Sequence, residues 1–377
     1  LLSLRRLKHV AVDAPGMTMT AGAGLVLAEA QKAAGGAGLM FPLTLASEGS
    51  CTIGGNIATN AGGNHVIRYG MMRNLVLGLE VVLADGSVLP LMKALPKDNS
   101  GYDLKQIFIG SEGTLGVITA AALNLFPRPA ETVVAFAALP SPEAALALLR
   151  HMQRLVPLSA FELVPRIALE LVTKHIPGIR TPLETDAPWY VLIEAAGNAG
   201  LQDEVESALA EQTFSVNVTI ARNEAQALDL WRIRESISEA QKKEGASIKH
   251  DISVPVAAIP AFIEKATAAV TTRFPGARPV TFGHLGDGNL HFNFSAPPGK
   301  DKEFLTQWDE IQLTVHDIVK EFGGSISAEH GIGTMKRDLL PRYKSHEELE
   351  AMRALKHAFD PKNILNPGKL VPPVRRL

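Results

Sequence analysis

The hydrophobic pattern changes character near the proline pair Pro127–Pro129. Before it, short β-rich runs such as HVAVDA and GLEVVLADGSVLPL are separated by glycine clusters, and one helix is predicted at LVLAEAQKAAG. The Asp85-Gly86 pair predicts a hairpin turn inside the second run. After it, the strand patterns VVAFAAL and WYVLIEAAG alternate with amphipathic helices at SPEAALALLRHMQRL and LQDEVESALAEQ. This alternation is typical of an α+β layer.

The C-terminal third is predicted to contain two further helices. One spans Lys302–Phe322, and the other, HEELEAMRALKHAF, is stopped by Asp360-Pro361. A chain of 377 residues exceeds what one hydrophobic core usually holds, so separate domains are expected. We predict a first domain at 1–128, a second at 129–345, and a C-terminal helix and tail at 346–377. Because the chain opens on Leu1 and enters strand-like sequence at once, we expect the first domain to be incomplete at its N-terminus.

Composition narrows the classes of partner. With 37 basic and 39 acidic residues well mixed, the net charge of -2 indicates neither a nucleic-acid footprint nor a polybasic membrane patch. Cys51 is the only cysteine, which excludes an intrachain disulfide and an iron-sulfur cluster held by this chain alone. No apolar run approaches the roughly 20 residues that span a bilayer. A reducing compartment is expected, the cytoplasm or, in a eukaryote, the mitochondrial matrix.

A glycine-rich stretch, SEGSCTIGGNIATNAGG at 47–63, is the first candidate binding segment. Paired glycines let backbone approach a ligand and present N–H donors to an anion such as a pyrophosphate. An ordinary surface loop is an equal alternative for this stretch alone. The Gly22-Ala23-Gly24 run has Leu27 where the dinucleotide fingerprint needs glycine, and Gly110–Gly116 lacks the Lys-Ser/Thr end of a P-loop. Both motifs are rejected.

The stretch VTFGHLGDGNLHFNF at 280–294 predicts a hairpin. Its strands are Val280–His284 and Leu290–Phe294, with a turn at Asp287-Gly288. The hairpin brings His284 and His291 face to face, and Glu329 in GGSISAEHGIG, where a short strand is expected to end, is the natural third ligand for a metal. Spacing alone leaves open two structural histidines.

A third group of residues lies in LWRIRESISEAQKKEGASIKHDISVP. Arg234 and Ser238 are four apart on a predicted helix and share a face, and Lys249 follows on the next predicted strand. Arginine offers a planar fork suited to a carboxylate, and lysine a point charge. Solvated helix charges are the alternative, and they account well for the neighbouring Lys242 and Lys243.

Four motifs in order carry a family resemblance: FPLTLASEGSCTIGGNIATNAGG, RYGMMRNLVLGLEVVLADGSVL, NSGYDLKQIFIGSEGTLGVIT and NILNPGK. They resemble flavoproteins of the vanillyl-alcohol oxidase type, in the D-2-hydroxyacid dehydrogenase branch. The resemblance implies an α+β fold in which an FAD-binding domain is followed by an α+β substrate cap domain. The implied FAD contacts are Pro42, Gly49, Ser50, Gly54, Gly55, Asn56, Thr59, Asn60, Gly62, Gly63, Glu112, Gly113, Gly116, Val117 and Asn366.

The chain departs from the family pattern in two places. A further glycine-rich phosphate loop, found upstream in the family, would precede Leu1, which bears on FAD retention. His65 follows Asn64 where relatives often carry a basic residue. A covalent flavin link at His65 is one interpretation, and a surface or phosphate-facing side chain is the favoured one.

The resemblance also implies an activity, the oxidation of a D-2-hydroxy acid by hydride transfer from C2 to flavin N5. In it His284, His291 and Glu329 hold a divalent cation, usually assigned as zinc, and His330 is the base. The implied substrate contacts are Arg234, Ser238, Lys249 and Asn293; relatives often have Thr in place of Ser238. The polar capacity of these residues narrowly favours D-2-hydroxyglutarate over D-lactate, and a glycolate oxidase flavin subunit is a further alternative.

Because the chain has no second redox centre, an external electron acceptor is implied. The resemblance favours an electron-transfer flavoprotein or a quinone-linked partner over oxygen. A flavin-free metallohydrolase built on the same two histidines and glutamate, and a non-catalytic subunit of a larger oxidase, are the distant alternatives. The sequence leaves open whether the chain forms a homodimer.

Overall fold

A computed structural model describes residues 2–211 and 217–373. Its strands are β1 (Val10–Asp13), β2 (Thr18–Gly22), β3 (Leu39–Met40), β4 (Val76–Val82), β5 (Val88–Leu91), β6 (Val117–Asn124), β7 (Phe126–Pro127), β8 (Glu131–Leu139), β9 (Leu158–Pro165), β10 (Trp189–Gly197), β11 (Asn217–Ile220), β12 (Ser247–Ile248), β13 (Asp251–Ser253), β14 (Arg278–His284) and β15 (Asn289–Ser295).

The helices of the same residues are α1 (Leu27–Gly36), α2 (Ile53–Ala58), α3 (Val66–Tyr69), α4 (Met72–Leu75), α5 (Lys105–Phe108), α6 (Pro142–Leu155), α7 (Arg166–His175), α8 (Leu201–Ala210), α9 (Glu224–Glu235), α10 (Ile237–Glu244), α11 (Ile259–Arg273), α12 (Asp301–Leu305), α13 (Trp308–Glu321), α14 (Leu340–Tyr343) and α15 (His346–Phe359). Short 3-10 helices cover Val256–Ala258 and Arg337–Leu339. Within the described ranges, no helix is both long and apolar enough to cross a bilayer.

The chain divides into two compact units. The first unit comprises the described parts of Leu1–His65, Tyr69–Arg128 and Glu329–Leu377, and the second comprises those of Val66–Arg68 and Pro129–Ala328. One division falls at Arg128/Pro129, where the sequence predicts a domain boundary. The later division falls after Ala328 rather than after residue 345.

The first unit is built on a five-stranded antiparallel sheet in the order β1-β2-β6-β4-β5. Strands β4 and β5 form the predicted hairpin, in which Gly86 has a φ of +88°, a left-handed conformation that suits glycine. Leu27 of α1, Ile57 of α2 and Leu79 of β4 are fully buried in one hydrophobic cluster. Helices and sheet therefore share a core in this unit.

The second unit is built on an eight-stranded sheet in the order β11-β8-β10-β9-β14-β15-β12, with β13 pairing to β15. All of its pairings are antiparallel. Every residue of β9 is buried, so this strand runs through the interior of the unit. Helix α6 begins as predicted, because the Ser141 hydroxyl accepts a hydrogen bond from the Ala144 N–H at 3.3 Å.

Two predicted helices are interrupted. The helix predicted over Lys302–Phe322 is divided into α12 and α13, and the Thr306 hydroxyl at the break donates to the Glu303 carbonyl at 2.7 Å. A threonine that bonds locally to backbone competes with helix continuation. The other break is at Ser236, which separates α9 with Arg234 from α10 with Ser238.

Candidate functional site

The glycine-rich stretch of the first unit contains a short helix, α2. Two of its glycines allow close packing inside the unit. A Cβ on Gly54 would lie 2.6 Å from the Ala23 Cβ, and one on Gly63 would lie 2.2 Å from the Thr44 carbonyl oxygen. Gly63 also has a φ of +142°. Both positions exclude larger residues for reasons internal to the fold.

Other glycines of the first unit are open. A Cβ on Gly49 or Gly113 would meet nothing within 4 Å, and Gly55 is exposed. Asn56 is 4% exposed, and its Nδ2 has no hydrogen-bond partner among the described residues. A buried amide donor without a partner beside unobstructed backbone fits a bound anionic ligand. These residues therefore fit the FAD that the resemblance implies.

Hydrogen bonds join three of the segments matched to FAD binding. The Gly110 N–H donates to the Ile57 carbonyl at 3.0 Å, and the Glu112 N–H donates to the Ala58 carbonyl at 2.8 Å. The Asn366 side-chain amide donates to the Glu112 carbonyl at 2.7 Å. The 110–113 loop and the NILNPGK segment are thus anchored to α2 and to each other.

Left-handed backbone recurs in these segments. Asn60, Glu112 and Asn366 have φ values of 50°, 52° and 40°. Arg73 braces the same region, because its guanidinium donates to the carbonyl oxygens of Gln106 and Ile109 at 2.8 and 2.6 Å. Non-glycine residues in this conformation are uncommon and tend to cluster at ligand sites.

The Glu112 carboxylate is engaged by the loop that carries His330. Its two oxygens accept hydrogen bonds from the Ile332 and Gly333 N–H groups at 2.7 and 2.8 Å. A Cβ on Gly331 would lie 2.6 Å from Glu112 Oε1. His330 itself is exposed. The Glu112 carboxylate therefore holds in place the loop that carries His330, the predicted base. The predicted contact of Glu112 with FAD would have to come from its other atoms.

The remaining residues matched to FAD differ in their surroundings. Pro42 and Gly62 are buried, and Val117 begins β6. The Ser50 and Thr59 hydroxyls donate to the Ser47 and Gly55 carbonyls at 3.2 and 3.1 Å. A Cβ on Gly116 would lie 2.5 Å from the Val81 Cγ1, and His65 Nδ1 lies 3.2 Å from the Thr44 hydroxyl.

The predicted histidine hairpin forms in the second unit. Strands β14 and β15 pair antiparallel, with Phe282 opposite His291 and His284 opposite Asn289, and Gly288 in the turn has a φ of +91°. The ring centroids of His284 and His291 are 5.8 Å apart. The register therefore brings the two imidazoles together without placing them directly opposite.

Glu162 lies on the other side of His284. The two residues are opposite each other in the β9–β14 pairing, and His284 Nδ1 lies 2.7 Å from Glu162 Oε1. Arg234 Nε donates to the other oxygen of the same carboxylate, also at 2.7 Å. The Glu162 side chain is 0% exposed. One buried carboxylate thus holds two of the predicted site residues.

Charge explains why Glu162 is ionised in this interior. Burial raises the pKa of its carboxyl, but the charges of His284 and Arg234 and their hydrogen bonds outweigh burial and lower the pKa below its usual range. An ionised carboxylate only accepts hydrogen bonds, so Nδ1 of His284 carries the proton. When His284 is neutral, Nε2 is the ring atom left for a metal.

The third predicted ligand, Glu329, follows Ala328, the last residue of the second unit. Ala328 is held to the sheet because its N–H donates to the Asp251 carbonyl at 3.3 Å, and Asp251 is opposite His291 in the β13–β15 pairing. In place of the expected short strand there is a single bridge between Ser253 and Ser325. The two histidines predicted as fellow ligands of Glu329 have ring centroids 5.8 Å apart on the hairpin. Two imidazoles and one carboxylate are a typical donor set for zinc in a catalytic site.

The predicted substrate residues have contrasting surroundings. Arg234 is 8% exposed, whereas Ser238 and Lys249 are exposed. Lys249 lies between β12 and β13, and partial desolvation together with the nearby Lys242 charge lowers its pKa.

Asn293 is buried, and both ends of its amide are engaged. Its Nδ2 donates to Gln241 Oε1 at 2.9 Å, and its Oδ1 accepts from the His250 N–H at 3.1 Å. The amide therefore bridges the gap in strand pairing between β12 and β13. These contacts give Asn293 a structural role, and its substrate contact stays a prediction.

Sequence reasoning missed Glu162. The signal was available, because Glu162 is the one charged residue in LSAFELVP, a run that is otherwise apolar or small. A charged residue is almost never fully buried unless it is paired. What the pattern could not supply was the identity of its partners, 72 and 122 residues further along the chain.

Comparison with known proteins gives the family. Residues 128–370 match the model described as "FAD linked oxidases, C-terminal domain", and residues 1–91 match the "FAD binding domain" model. A D-2-hydroxyglutarate dehydrogenase of Xanthomonas citri is 41% identical over 98% of this chain and 79% of its own. Another, from Stutzerimonas stutzeri, is 42% identical over 92% of this chain and 75% of its own. The mitochondrial enzyme of Bos taurus is 42% identical over 89% of this chain and 61% of its own.

Solved structures agree on the fold. Alkyldihydroxyacetonephosphate synthase has a TM-score of 0.72 at 20% identity, over 97% of this chain and 67% of that one. The 4-ethylphenol oxidase from Gulosibacter chungangensis has a TM-score of 0.70 at 19% identity, over 99% of this chain and 80% of that one. The α+β architecture with an FAD-binding domain of the vanillyl-alcohol oxidase type is thereby confirmed. The chain belongs to the FAD linked oxidases.

Proposed function

We propose that this chain oxidises D-2-hydroxyglutarate to the corresponding 2-oxo acid, with FAD as the hydride acceptor. The first unit binds the FAD, and the second binds the substrate. The observation that carries the proposal is the pair of imidazoles, His284 and His291, on one hairpin, where His284 shares the buried Glu162 carboxylate with Arg234. The relatives that carry the name D-2-hydroxyglutarate dehydrogenase support the choice of substrate.

The residues that would hold FAD come from the three joined segments of the first unit. Asn56 offers an amide donor with no partner among the described residues, Gly49 and Gly113 offer backbone that no side chain obstructs, and Gly55 is exposed. When bound, the flavin supplies the chemistry of a hydride acceptor. The protein contributes position, because the hydrogen bonds from Gly110 and Glu112 to α2 fix these segments relative to one another.

His284, His291 and Glu329 would hold a divalent cation, with zinc as the expected metal. The cation supplies Lewis acidity at the substrate. Ligand geometry is set by the surrounding protein, since Glu162 fixes the His284 ring and the Asp251 carbonyl fixes the residue before Glu329. Such outer contacts orient metal ligands in most sites of this kind.

The substrate carboxylates are bound by cationic and hydroxyl side chains of the second unit. Arg234 retains guanidinium N–H donors beyond the Nε that Glu162 occupies, and Lys249 and Ser238 are exposed. Lys249 offers a point charge to a carboxylate, and Ser238 offers a hydroxyl donor. His330 accepts the proton of the substrate hydroxyl on an imidazole nitrogen, as a general base.

Reduced flavin must pass its electrons to an external acceptor. The chain's single cysteine, Cys51, cannot by itself hold an iron-sulfur cluster. An electron-transfer flavoprotein or a quinone-linked partner is therefore proposed as the acceptor. Adding each acceptor in turn to the reduced protein, and following reappearance of the flavin absorbance, would distinguish them.

The test of the proposed function is the anaerobic visible spectrum of the purified, zinc-supplemented protein. D-2-hydroxyglutarate, L-2-hydroxyglutarate and D-lactate are added in turn. Bleaching of a flavin band by D-2-hydroxyglutarate alone is the expected result, and pretreatment with a metal chelator should abolish it. Preferential bleaching by D-lactate would identify D-lactate as the substrate in place of D-2-hydroxyglutarate. A flavin that no hydroxy acid bleaches would refute the proposed activity.

A further inference from the structure

We propose that Glu162 is a positioning residue that couples the metal ligand His284 to the substrate anchor Arg234. Arg234 thereby contributes to metal affinity although it is not a ligand. This inference rests on the proposed function, because it concerns the same metal and the same substrate carboxylate. Neither the family motifs nor the predicted site residues include Glu162.

The contacts of the Glu162 carboxylate are divided evenly. Oε1 accepts the hydrogen bond from His284 Nδ1, and Oε2 accepts the one from Arg234 Nε, both at 2.7 Å. The side chains of all three residues are at most 9% exposed. Charge-assisted hydrogen bonds of this length are the strong ones, and solvent does not screen them in the interior.

A second route connects Arg234 to the other histidine. The Arg234 guanidinium lies 5.0 Å from the centroid of the Phe282 ring, and that ring lies 4.9 Å from the centroid of His291. Phe282 is 1% exposed, so it cannot move aside without disturbing the core. Arg234 is therefore in contact with the supports of both histidines, through Glu162 and through Phe282.

Only a carboxylate satisfies both partners. Protonated His284 Nδ1 and Arg234 Nε are donors, so the residue between them must offer two acceptors. Glutamine offers one acceptor and would direct an NH₂ group at the other donor. Aspartate keeps the charge but is shorter by one methylene, so it cannot reach both partners from the same strand position.

The test measures zinc affinity and does not depend on turnover. Metal-free holoprotein is titrated with Zn²⁺ in competition with a chromophoric chelator, for the wild type, Glu162→Gln, Glu162→Asp, Arg234→Lys and the Glu162→Asp/Arg234→Lys double variant. Both Glu162 variants should raise the zinc dissociation constant by about 10- to 100-fold, the range for lost outer-shell contacts. Arg234→Lys should raise it several-fold in the wild-type background and have a smaller effect in the Glu162→Asp background, where only the contact through Phe282 is left to be lost.

Glu194→Asp provides the matched control. Glu194 lies on the neighbouring strand β10, is 8% exposed, and accepts hydrogen bonds from the Ser159 hydroxyl and Trp231 Nε1 at 2.6 and 2.8 Å. It shares burial with Glu162, and the hydrogen bonds that it accepts come from Ser159 and Trp231. Glu194→Asp should leave the zinc dissociation constant within about twofold of the wild-type value. The loss of an outer contact to a metal ligand, by comparison, raises this constant about tenfold or more.

The outcomes separate the inference from the proposed function. Folding is verified by circular dichroism, and if Glu162→Gln does not fold, the charge-conserving Glu162→Asp decides the result. An unchanged zinc affinity in folded Glu162→Asp would overturn the inference alone, as would an Arg234→Lys effect of equal size in both backgrounds. A wild type that takes up no zinc would overturn the metal centre of the proposed function, and the inference with it.

Discussion

In the first unit, the segments matched to FAD binding present mainly backbone, whereas the second unit assembles its site from buried side chains. Gly49 and Gly113 are open, and Asn60, Glu112 and Asn366 adopt left-handed backbone. In the second unit, Glu162, Arg234 and His284 meet in the interior as charged or polar side chains. The difference teaches that the same change of residue has a different physical cost in each unit.

A backbone-built site is sensitive to added atoms, because a Cβ meets a neighbour or forces a conformation that only glycine adopts easily. A site built from buried charges is sensitive to lost atoms, because the remaining partner is left desolvated and uncompensated. Glu112 combines both features, since its own backbone is left-handed while its carboxylate binds the N–H groups of Ile332 and Gly333.

The largest expected effect comes from breaking the buried pair. Arg234→Met should lower the free energy of unfolding by about 3–5 kcal/mol, because it leaves the Glu162 carboxylate buried without the guanidinium that compensates its charge. Urea denaturation followed by tryptophan fluorescence measures it. The control is Arg273→Met, which removes an ion pair with Glu310 whose side chains are 56% and 60% exposed. Similar losses in both variants would contradict the contrast between buried and exposed pairs.

The next effect tests the backbone of the first unit. Gly63→Ala should lower the free energy of unfolding by about 2–3 kcal/mol. The φ of +142° at position 63 is strained for alanine, and the new Cβ would meet the Thr44 carbonyl. Gly49→Ala adds the same atom where nothing lies within 4 Å. It should unfold like the wild type and lose flavin more readily, as measured by flavin fluorescence in the filtrate after dilution. Equal stability of both variants would remove the packing role assigned to Gly63.

A smaller effect is expected where Glu112 binds the loop after His330. Glu112→Gln removes one of two charge-assisted acceptors and should lower the free energy of opening of this loop by about 1–2 kcal/mol. Hydrogen exchange of the Ile332 and Gly333 amides should then rise by roughly tenfold, since 1.4 kcal/mol corresponds to a factor of ten. Glu347→Gln, an exposed position in the first turn of α15, is the control. Unchanged exchange at Ile332 and Gly333 would show that the carboxylate does not hold the loop.

The smallest effect is a pH dependence in the second unit. Hydrogen bonds from Lys174, Arg278 and His175 lower the pKa of Glu244 to about 2. A depressed folded-state pKa gives stability that is complete above the ordinary pKa of 4.5 and is lost as the pH falls towards 2. Because Lys174 is 61% exposed and screened by solvent, we expect about 1 kcal/mol. In Glu244→Gln, the difference between stability at pH 5 and at pH 2.5 should shrink by this amount; an identical pH profile would exclude the contribution.

Local signals predicted much of the fold. The Asp85-Gly86 turn, the helix in SPEAALALLRHMQRL, the histidine hairpin and the helix that ends before Asp360 all form as the sequence indicates. Each depends on residues a few positions apart, whose preferences act before any tertiary contact is made. The predicted helix over Lys302–Phe322 was wrong in its continuity, because the local hydrogen bond of Thr306 competes with the helix.

The candidate site shows the same division between local and long-range information. Sequence by itself determined the residue types available to a metal and a carboxylate, the glycine-rich stretch, and the family they resemble. Only the tertiary structure decided that Glu162 lies between His284 and Arg234, that Asn293 fills a gap in strand pairing, and that Glu112 holds the loop after His330. The partners of these residues are 43 to 221 positions away along the chain. Hydrophobic periodicity specifies which face of an element is buried, but the pairing of strands and helices determines which polar groups meet there.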